Sequence, residues 1–396
     1  MSGGYAARRL EIGVRDRARF GTGAVSEVPS IVGVLGGRAV FVVTDPGVVG
    51  SGVAGRVVDL LAAADLRVEL FDGVEPNPGT ASIERGSARL RAFRGTGAAG
   101  DTIVIGLGGG SAMDSAKVIA LHAANQYAVM SLGYHDETVE PGLPVIAIPT
   151  TAGTGAETNT YGVITDEIVG RKGYVGHASV LPRIAILDPE LTLSLPAEPT
   201  AATGVDALTH SLESLLSANP NPFAEAIALG VIRTVSEWLP RAVEVGSDLE
   251  ARSRMLLAAH YAGVGQQSGT GVGAVHAIGH AIGTRGRLAH GTALATVMPE
   301  VFETYLGVRD HELALVAVAL GAADPRDPQA EAARAGIGAV RSLLERLGQR
   351  RTLSAQGLGP QSHDTIARDA IDDAAIDNSP RRPSKDVILG ILSLVR

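Results

Sequence analysis

Asp206-Ala-Leu-Thr-His210 sets a carboxylate and an imidazole four residues apart. On a helix that spacing puts both side chains on one face, about one turn from each other and within reach of a single ion. Farther along, GAVHAIGHAIGTRGRLAHG carries His276, His280 and His290 within fifteen residues, three of the chain's ten histidines. Their neighbours Val275, Ala277, Ile278, Ala281 and Ile282 are apolar, so these rings belong in a largely buried setting, where an unpaired polar group costs free energy. One carboxylate with three imidazoles is a nitrogen and oxygen donor set suited to Fe(II) or Zn(II), and a position kept open for water or substrate makes such a site catalytic. Spacing alone selects His276 and His280, again four apart, as a ligand pair and leaves His290 undecided; it does not settle which three imidazoles bind. His122, His135, His177, His260, His311 and His363 stand outside the cluster and read as ordinary hydrogen-bonded histidines.

A second chemistry is anion binding. The run Thr102-Ile105 leads into Gly106-Leu107-Gly108-Gly109-Gly110-Ser111, and Ala112 to Ala120, with Asp114 and Lys117, has helical composition. A strand, a glycine turn and a helix start present unpaired N–H groups to a pyrophosphate, and the helix dipole adds to the attraction. The closing serine departs from the pattern Gly-x-Gly-x-x-Gly, and a place after the third strand instead of the first separates this loop from the ordinary Rossmann fingerprint. A second loop, Pro149 to Glu157, offers Thr150, Thr151 and Thr154 with two glycines at a strand's carboxyl end, which suits a phosphate and a ribose. Two such loops on neighbouring strands favour a dinucleotide. Asp45 in Thr44-Asp45-Pro46 ends the first strand, where a carboxylate accepts hydrogen bonds from a ribose and repels a 2′-phosphate, so NAD is preferred to NADP. Asp before Pro is also a common turn starter.

These residues need elements to hold them. Buried-strand runs at Ala39-Val43, Arg67-Phe71, Thr102-Ile105, Val145-Ile148 and Ile184-Leu187 alternate with helical segments, the pattern of a parallel α/β sheet covered on both faces. After about Pro189 strand runs vanish and Asn221-Val245 and Leu249-Tyr261 show helical spacing. The boundary falls at LDPELTLSLP, giving an α/β dinucleotide domain over 1–190 and an all-helical metal-binding domain over 191–396. Gln349 to Asp364 reads as a surface loop. With 396 residues, two domains are the natural count. Hydrophobic residues at 45% and charged residues at 19% place the chain among globular proteins. A net charge of -8 without a basic, aromatic-rich run argues against nucleic acid as a partner. The absence of cysteine excludes thiolate ligands, disulfides and iron–sulfur clusters. Neither a secretory h-region nor a long apolar span is present, so no membrane partner and a cytoplasmic location are expected. A closed homodimer leads the prior for assembly.

The motifs GGGSAMDSAK, PTTAGTGAE, LDPELT, GVDALTHSLES and HAIGHAIGTRGRLAHG, in this order, resemble those of the iron-containing (group III) alcohol dehydrogenases of the dehydroquinate synthase-like superfamily. The resemblance runs from FGTGAV at Phe20 to DNSPRRP at Asp377. It implies a Rossmann-like N-terminal α/β domain with a helical C-terminal domain, and NAD(H) with Fe(II), alternatively Zn(II). The implied ligands are Asp206, His210, His276 and His290, with His280 beside the metal as a proton-relaying catalytic residue. Gly109, Gly110, Ser111 and Asp114 match the phosphate loop, Thr150, Thr151 and Thr154 the second cofactor loop, and Lys172 a lysine near the nicotinamide ribose. Asp45 matches the position linked to NAD preference, and Asn77 another cofactor-side position. Gln266 and Tyr161 stand where relatives often carry an aromatic and a smaller polar residue, which implies a more polar pocket wall. Arg285 and Arg287 replace residues that are often uncharged and would suit an anionic substrate; a solvated surface pair is the alternative.

The expected reaction is reversible hydride transfer between the nicotinamide and a small, polar or anionic alcohol or aldehyde, with the metal as Lewis acid. Two alternatives share the architecture. One resembles the metal-independent maleylacetate reductases; the other is a sugar-phosphate cyclase like dehydroquinate synthase, against which the Asp206-His210 pair speaks.

Overall fold

The computed structural model describes residues 17–95, 101–133 and 139–396; His135 lies outside the described residues. Eight strands are β1 (Ala18–Phe20), β2 (Ala39–Val43), β3 (Arg67–Phe71), β4 (Thr102–Gly108), β5 (Val145–Pro149), β6 (Tyr161–Asp166), β7 (Arg171–Gly176) and β8 (Ile184–Leu187). The helices of the first half are α1 (Val28–Val34), α2 (Pro46–Gly50), α3 (Val53–Ala62), α4 (Thr80–Arg94) and α5 (Gly110–His122). Those of the second half are α6 (Ala197–Leu216), α7 (Pro222–Glu244), α8 (Leu249–Gln266), α9 (Ala274–Gly286), α10 (His290–Glu303), α11 (Asp310–Ala319), α12 (Gln329–Arg346), α13 (His363–Ile371) and α14 (Lys385–Leu394). The chain divides into two compact units, the described part of Asp16–Gly204 with Trp238–Gly263, and Val205–Glu237 with Val264–Arg396.

The first unit is built on a six-stranded sheet in the order β1-β8-β5-β4-β2-β3, parallel at every pairing. Alternation along each strand feeds two cores. Val40, Val42, Ile103, Ile105, Leu107, Ile146 and Ile148 pack with α1 and α3, whereas Phe41, Val43, Val104 and Val145 pack with α4 and α5. Every residue of β2, β4 and β5 is buried, which is why these strands read as continuous apolar runs. Beyond the five expected strands, β1 adds a short edge and β6 with β7 form a separate antiparallel hairpin. The chain passes from β2 out to β3 and returns to β4 on the other flank of β2, so the carboxyl ends of β2 and β4 flank the point where the winding reverses. Open α/β sheets bind ligands in that crevice.

Buried Asp188, at the end of β8, accepts N–H bonds from Gly23 and Val25, both at 3.2 Å, and from Glu190 at 3.1 Å. The LDPELT segment thereby ties the chain ends of β1 and β8 together. Among the described residues no strand follows Leu187. In the helical unit α9 packs on α10 and α13; a Cβ at Gly279 would lie 2.5 Å from Leu294 Cδ2, so that glycine permits the close approach of α9 to α10. No helix among the described residues is long and apolar enough to cross a membrane. The stretch 349–362 is loop with two 3-10 turns, at Ser354–Gln356 and Pro360–Ser362, while His363 and Asp364, expected in the loop, open α13.

Candidate metal centre and cofactor cradle

Asp206, His210 and Glu213 sit on α6 at positions i, i+4 and i+7, one face of that helix, and all three are buried. Helix α9 carries His276 and His280, and α10 begins on His290. Asp206 Oδ1 lies 3.4 Å from His290 Nε2, 3.7 Å from His276 Nε2 and 3.8 Å from His210 Nε2. Asp206, His276 and His290 offer ligand atoms all within 4.8 Å of one another, and the His210 ring stacks on His276 with centroids 4.9 Å apart. Two buried atoms at the focus, Asp206 Oδ1 and His276 Nε2, have no hydrogen-bond partner. In the neutral ring both present lone pairs, because His276 uses its other nitrogen, Nδ1, to donate to Glu213 Oε2 at 2.5 Å. Facing acceptors without a donor are costly in an interior and are satisfied together by one shared cation, so these residues fit a metal ion.

The electrostatics agree. Burial disfavours charge on Asp206, yet His210, His290 and His276 hold its carboxyl well below the ordinary range. Burial likewise disfavours charge on His276, but Glu213 and Asp206 outweigh it and push the ring up to about 9. The cluster draws positive charge toward itself.

In the α/β unit, the loops after β4 and β5 close on each other. A Cβ at Gly110 would lie 2.7 Å from Thr154 Cγ2, and one at Gly109 3.3 Å from Thr151 Cγ2. Thr150 N–H donates to Gly108 O at 2.9 Å, and Gly108 has φ +147 with Ala112 Cβ only 2.7 Å from where its own Cβ would be, a conformation reserved for glycine. Helix α5 begins at Gly110 with no side-chain cap, leaving its first N–H groups for a ligand. Thr151 Oγ1 is buried with no hydrogen-bond partner, a polar atom that a bound phosphate or ribose would satisfy. Asp45 closes β2: its Oδ1 caps α2 through Gly47 N–H at 2.9 Å and Val48 N–H at 3.1 Å, and its Oδ2 is turned toward Gly108. The turn-starting reading of Asp45 is carried by Oδ1 alone.

Model matches cover both halves: "Iron-containing alcohol dehydrogenase" over residues 16–189 and "Fe-containing alcohol dehydrogenase family, C-terminal" over residues 200–395. The chain belongs to the iron-containing alcohol dehydrogenase family. It is similar to a probable alcohol dehydrogenase, EutG, of Escherichia coli strain K12, 34% identical over 94% of this chain and 91% of that one. It is also similar to the NAD-dependent methanol dehydrogenase of Bacillus methanolicus, 33% identical over 91% and 93%. A crystal structure of 1,3-propanediol oxidoreductase superposes with a TM-score of 0.92, 30% identity, and coverage of 98% of this chain and 100% of that chain. The expectation of an alcohol dehydrogenase linked to a nicotinamide dinucleotide stands.

In this family member His280 lies beside the cluster, its ring 5.2 Å from that of His290. Its Nδ1 pairs with Asp373 Oδ2 at 2.7 Å, and the donor atoms that lie together are those of Asp206, His276 and His290. Arg285 is exposed and held by Asp369, Nη2 at 2.6 Å and Nε at 3.1 Å from the same oxygen. This is a surface pair, not a free cation facing the cluster, because the end of α9 runs alongside α13. Arg287 caps α9 in the left-handed conformation. Gln266 ends α8, half-buried, and its carbonyl accepts from Thr270 Oγ1 at 3.4 Å.

The remaining positions expected beside cofactor or substrate lie on the β6–β7 hairpin or against it. Lys172 is registered opposite Thr165, whose Oγ1 donates to the carbonyl of Asn77 at 3.2 Å; Asn77 itself is exposed with φ 53. Tyr161 packs edge-on against Tyr174 with centroids 5.4 Å apart. Asp114 is turned inward, accepting Val163 N–H at 3.0 Å and pairing with Lys117 Nζ at 3.0 Å. Fully buried Lys117 also donates to Ala156 O at 2.8 Å and to Asn159 Oδ1, fastening α5 to the loop after β5. Burial holds its ammonium below the ordinary value in spite of Asp114. Lys117→Met takes the ammonium away from three buried partners, Asp114, Ala156 O and Asn159 Oδ1, and is expected to cost about 3–5 kcal/mol, read as a lower urea midpoint at unchanged slope.

Sequence reasoning missed Glu213 and Asp373. Glu213 was findable, seven residues after Asp206 on the same helix face; Asp373 stands 93 residues from His280 and carries no local signal.

Proposed function

We propose that this chain is a metal-dependent, NAD-linked dehydrogenase of small alcohols and aldehydes, with the dinucleotide on residues 1–190, and Fe(II), alternatively Zn(II), held by Asp206, His210, His276 and His290. The observation that carries this reading is the pair of partnerless buried atoms, Asp206 Oδ1 and His276 Nε2, ringed by imidazole nitrogens. When bound, the ion supplies Lewis-acid polarisation of the substrate oxygen, and the nicotinamide supplies or takes the hydride.

The chain's own residues do the rest. Glu213 sets the tautomer of His276, and Asp373 holds His280 through Nδ1, which makes Nε2 the atom that exchanges the hydroxyl proton. Gly109, Gly110 and Ser111 bring the uncapped start of α5 to the pyrophosphate, Thr150, Thr151 and Thr154 add hydroxyls, and Lys172 and Asn77 stand on the ribose side. Asp45 disfavours a 2′-phosphate by like charge. An anionic substrate loses its main support, since the Arg285 guanidinium is answered by Asp369; uncharged, short, polar aldehydes fit best. A homodimer is the proposed assembly, working in the cytoplasm.

The test is anaerobic reconstitution of metal-stripped enzyme with Fe(II) or Zn(II), followed by NADH oxidation over short aldehydes. Activity is expected only with metal and highest with Fe(II); full activity of the stripped enzyme would overturn the proposal. Asp45→Ser retains a capping oxygen and removes the charge. It is expected to raise the ratio of kcat/KM for NADPH over NADH at least about tenfold, equivalent to roughly 1.4 kcal/mol.

A further inference from the structure

Glu213 is not among the residues whose atoms converge on Asp206, yet its side chain is only 2% exposed and both of its oxygens are engaged. Oε1 accepts Val275 N–H in the first turn of α9 at 2.7 Å, and Oε2 accepts from His276 Nδ1 at 2.5 Å. Gly273, which precedes α9, brings no capping side chain; a Cβ there would lie 3.1 Å from Glu213 Oε1. A carboxylate has only acceptor oxygens, so it fixes the proton of His276 on Nδ1 and leaves the lone pair on Nε2, the nitrogen that faces Asp206 Oδ1. A carboxylate behind a ligating imidazole orients the ring and raises its basicity.

We propose that Glu213 is a positioning residue of the metal centre, holding His276 in the one tautomer that can ligate and adding to Asp206 the second buried negative charge that a dication cancels. The inference rests on the metal reading above and adds a residue to it. Two carboxylates on one face of α6 make a divalent ion the charge that leaves the interior neutral, the condition under which burying charge is tolerable.

Glu213→Gln separates this role from simple helix capping. The amide oxygen still accepts from Val275, but the amide nitrogen now donates toward His276 Nδ1, moving the imidazole proton onto Nε2. Metal-stripped full-length protein is titrated with Zn(II) and Co(II) against a chromophoric chelator, with NADH fluorescence titration of the same samples. Glu213→Gln is expected to weaken metal affinity by about 10-fold to 100-fold with NADH affinity within about twofold of the parent. Glu213→Ala removes the cap that Glu213→Gln keeps and frees the tautomer without forcing the proton onto Nε2, so it is expected to bind metal more tightly than Glu213→Gln and less tightly than the parent. Unchanged metal affinity in Glu213→Gln, an equal loss of NADH affinity, or the reverse order of the two variants would overturn the proposal and leave Glu213 as a cap. Parent protein that takes up no stoichiometric metal would instead overturn the metal reading itself.

Discussion

His276→Ala is expected to lose stoichiometric metal and at least about 1,000-fold in turnover, equivalent to roughly 4 kcal/mol of transition-state stabilisation. The reason is local. His276 is the hub of the cluster: its Nε2 is 3.7 Å from Asp206 Oδ1, its ring stacks on His210 and neighbours those of His280 and His290, and its Nδ1 is tied to Glu213. Truncation removes one donor and leaves Glu213 buried with one of its two partners gone. Elemental analysis and steady-state kinetics on the same preparation read both effects, and NADH affinity should be retained. A metal-free His276→Ala enzyme with parental turnover would remove the metal from the mechanism.

Gly110→Val is expected to do the opposite, sparing the metal and damaging the dinucleotide site. Its Cβ would stand 2.7 Å from Thr154 Cγ2 and 3.0 Å from Thr154 Oγ1, and threonine has little rotamer freedom with which to yield. The loops after β4 and β5 must part, displacing the start of α5 from the hydroxyls opposite. A shift of about 1 Å in a positioning group costs on the order of 100-fold. NADH affinity measured by fluorescence should fall by about that factor, with metal content unchanged. A variant that binds NADH as the parent does would show that the approach of the two loops is not what the cofactor needs.

The two halves of the chain differ in how openly they announce themselves. Strands β2, β4 and β5 are buried on both faces, and burial imposes the continuous Val, Ile and Leu runs from which they are read. Strand β1 has three exposed residues, Ala18, Arg19 and Phe20, and no such constraint acts on it. The β6–β7 hairpin, with Gly162, Gly173 and charged ends at Asp166 and Arg171, also lacks an apolar run. Lys172 stands on it, and nothing in the sequence around that lysine marks a strand pair.

In the metal centre, i,i+4 spacing exposed Asp206 and His210 because one helix carries both. The same rule favours His276 with His280, whereas the donor atoms gathered in the structure are those of Asp206, His276 and the first residue of α10, His290. Only the family resemblance named His290 and set His280 aside. Contacts between distant segments such as Asp373 with His280 are tertiary and leave no periodicity behind. Arg285 shows the same limit from the other side: its charge suggested an anion, and Asp369, 84 residues away, answers it.

X-ray absorption at the metal edge of the Fe(II)-loaded or Zn(II)-loaded full-length protein addresses the donor set directly. The account predicts a shell of nitrogen and oxygen alone at about 2.0–2.2 Å, with the multiple scattering of three imidazoles, falling to two in His290→Ala. A spectrum without imidazole scattering, or one unchanged in that variant, would contradict it.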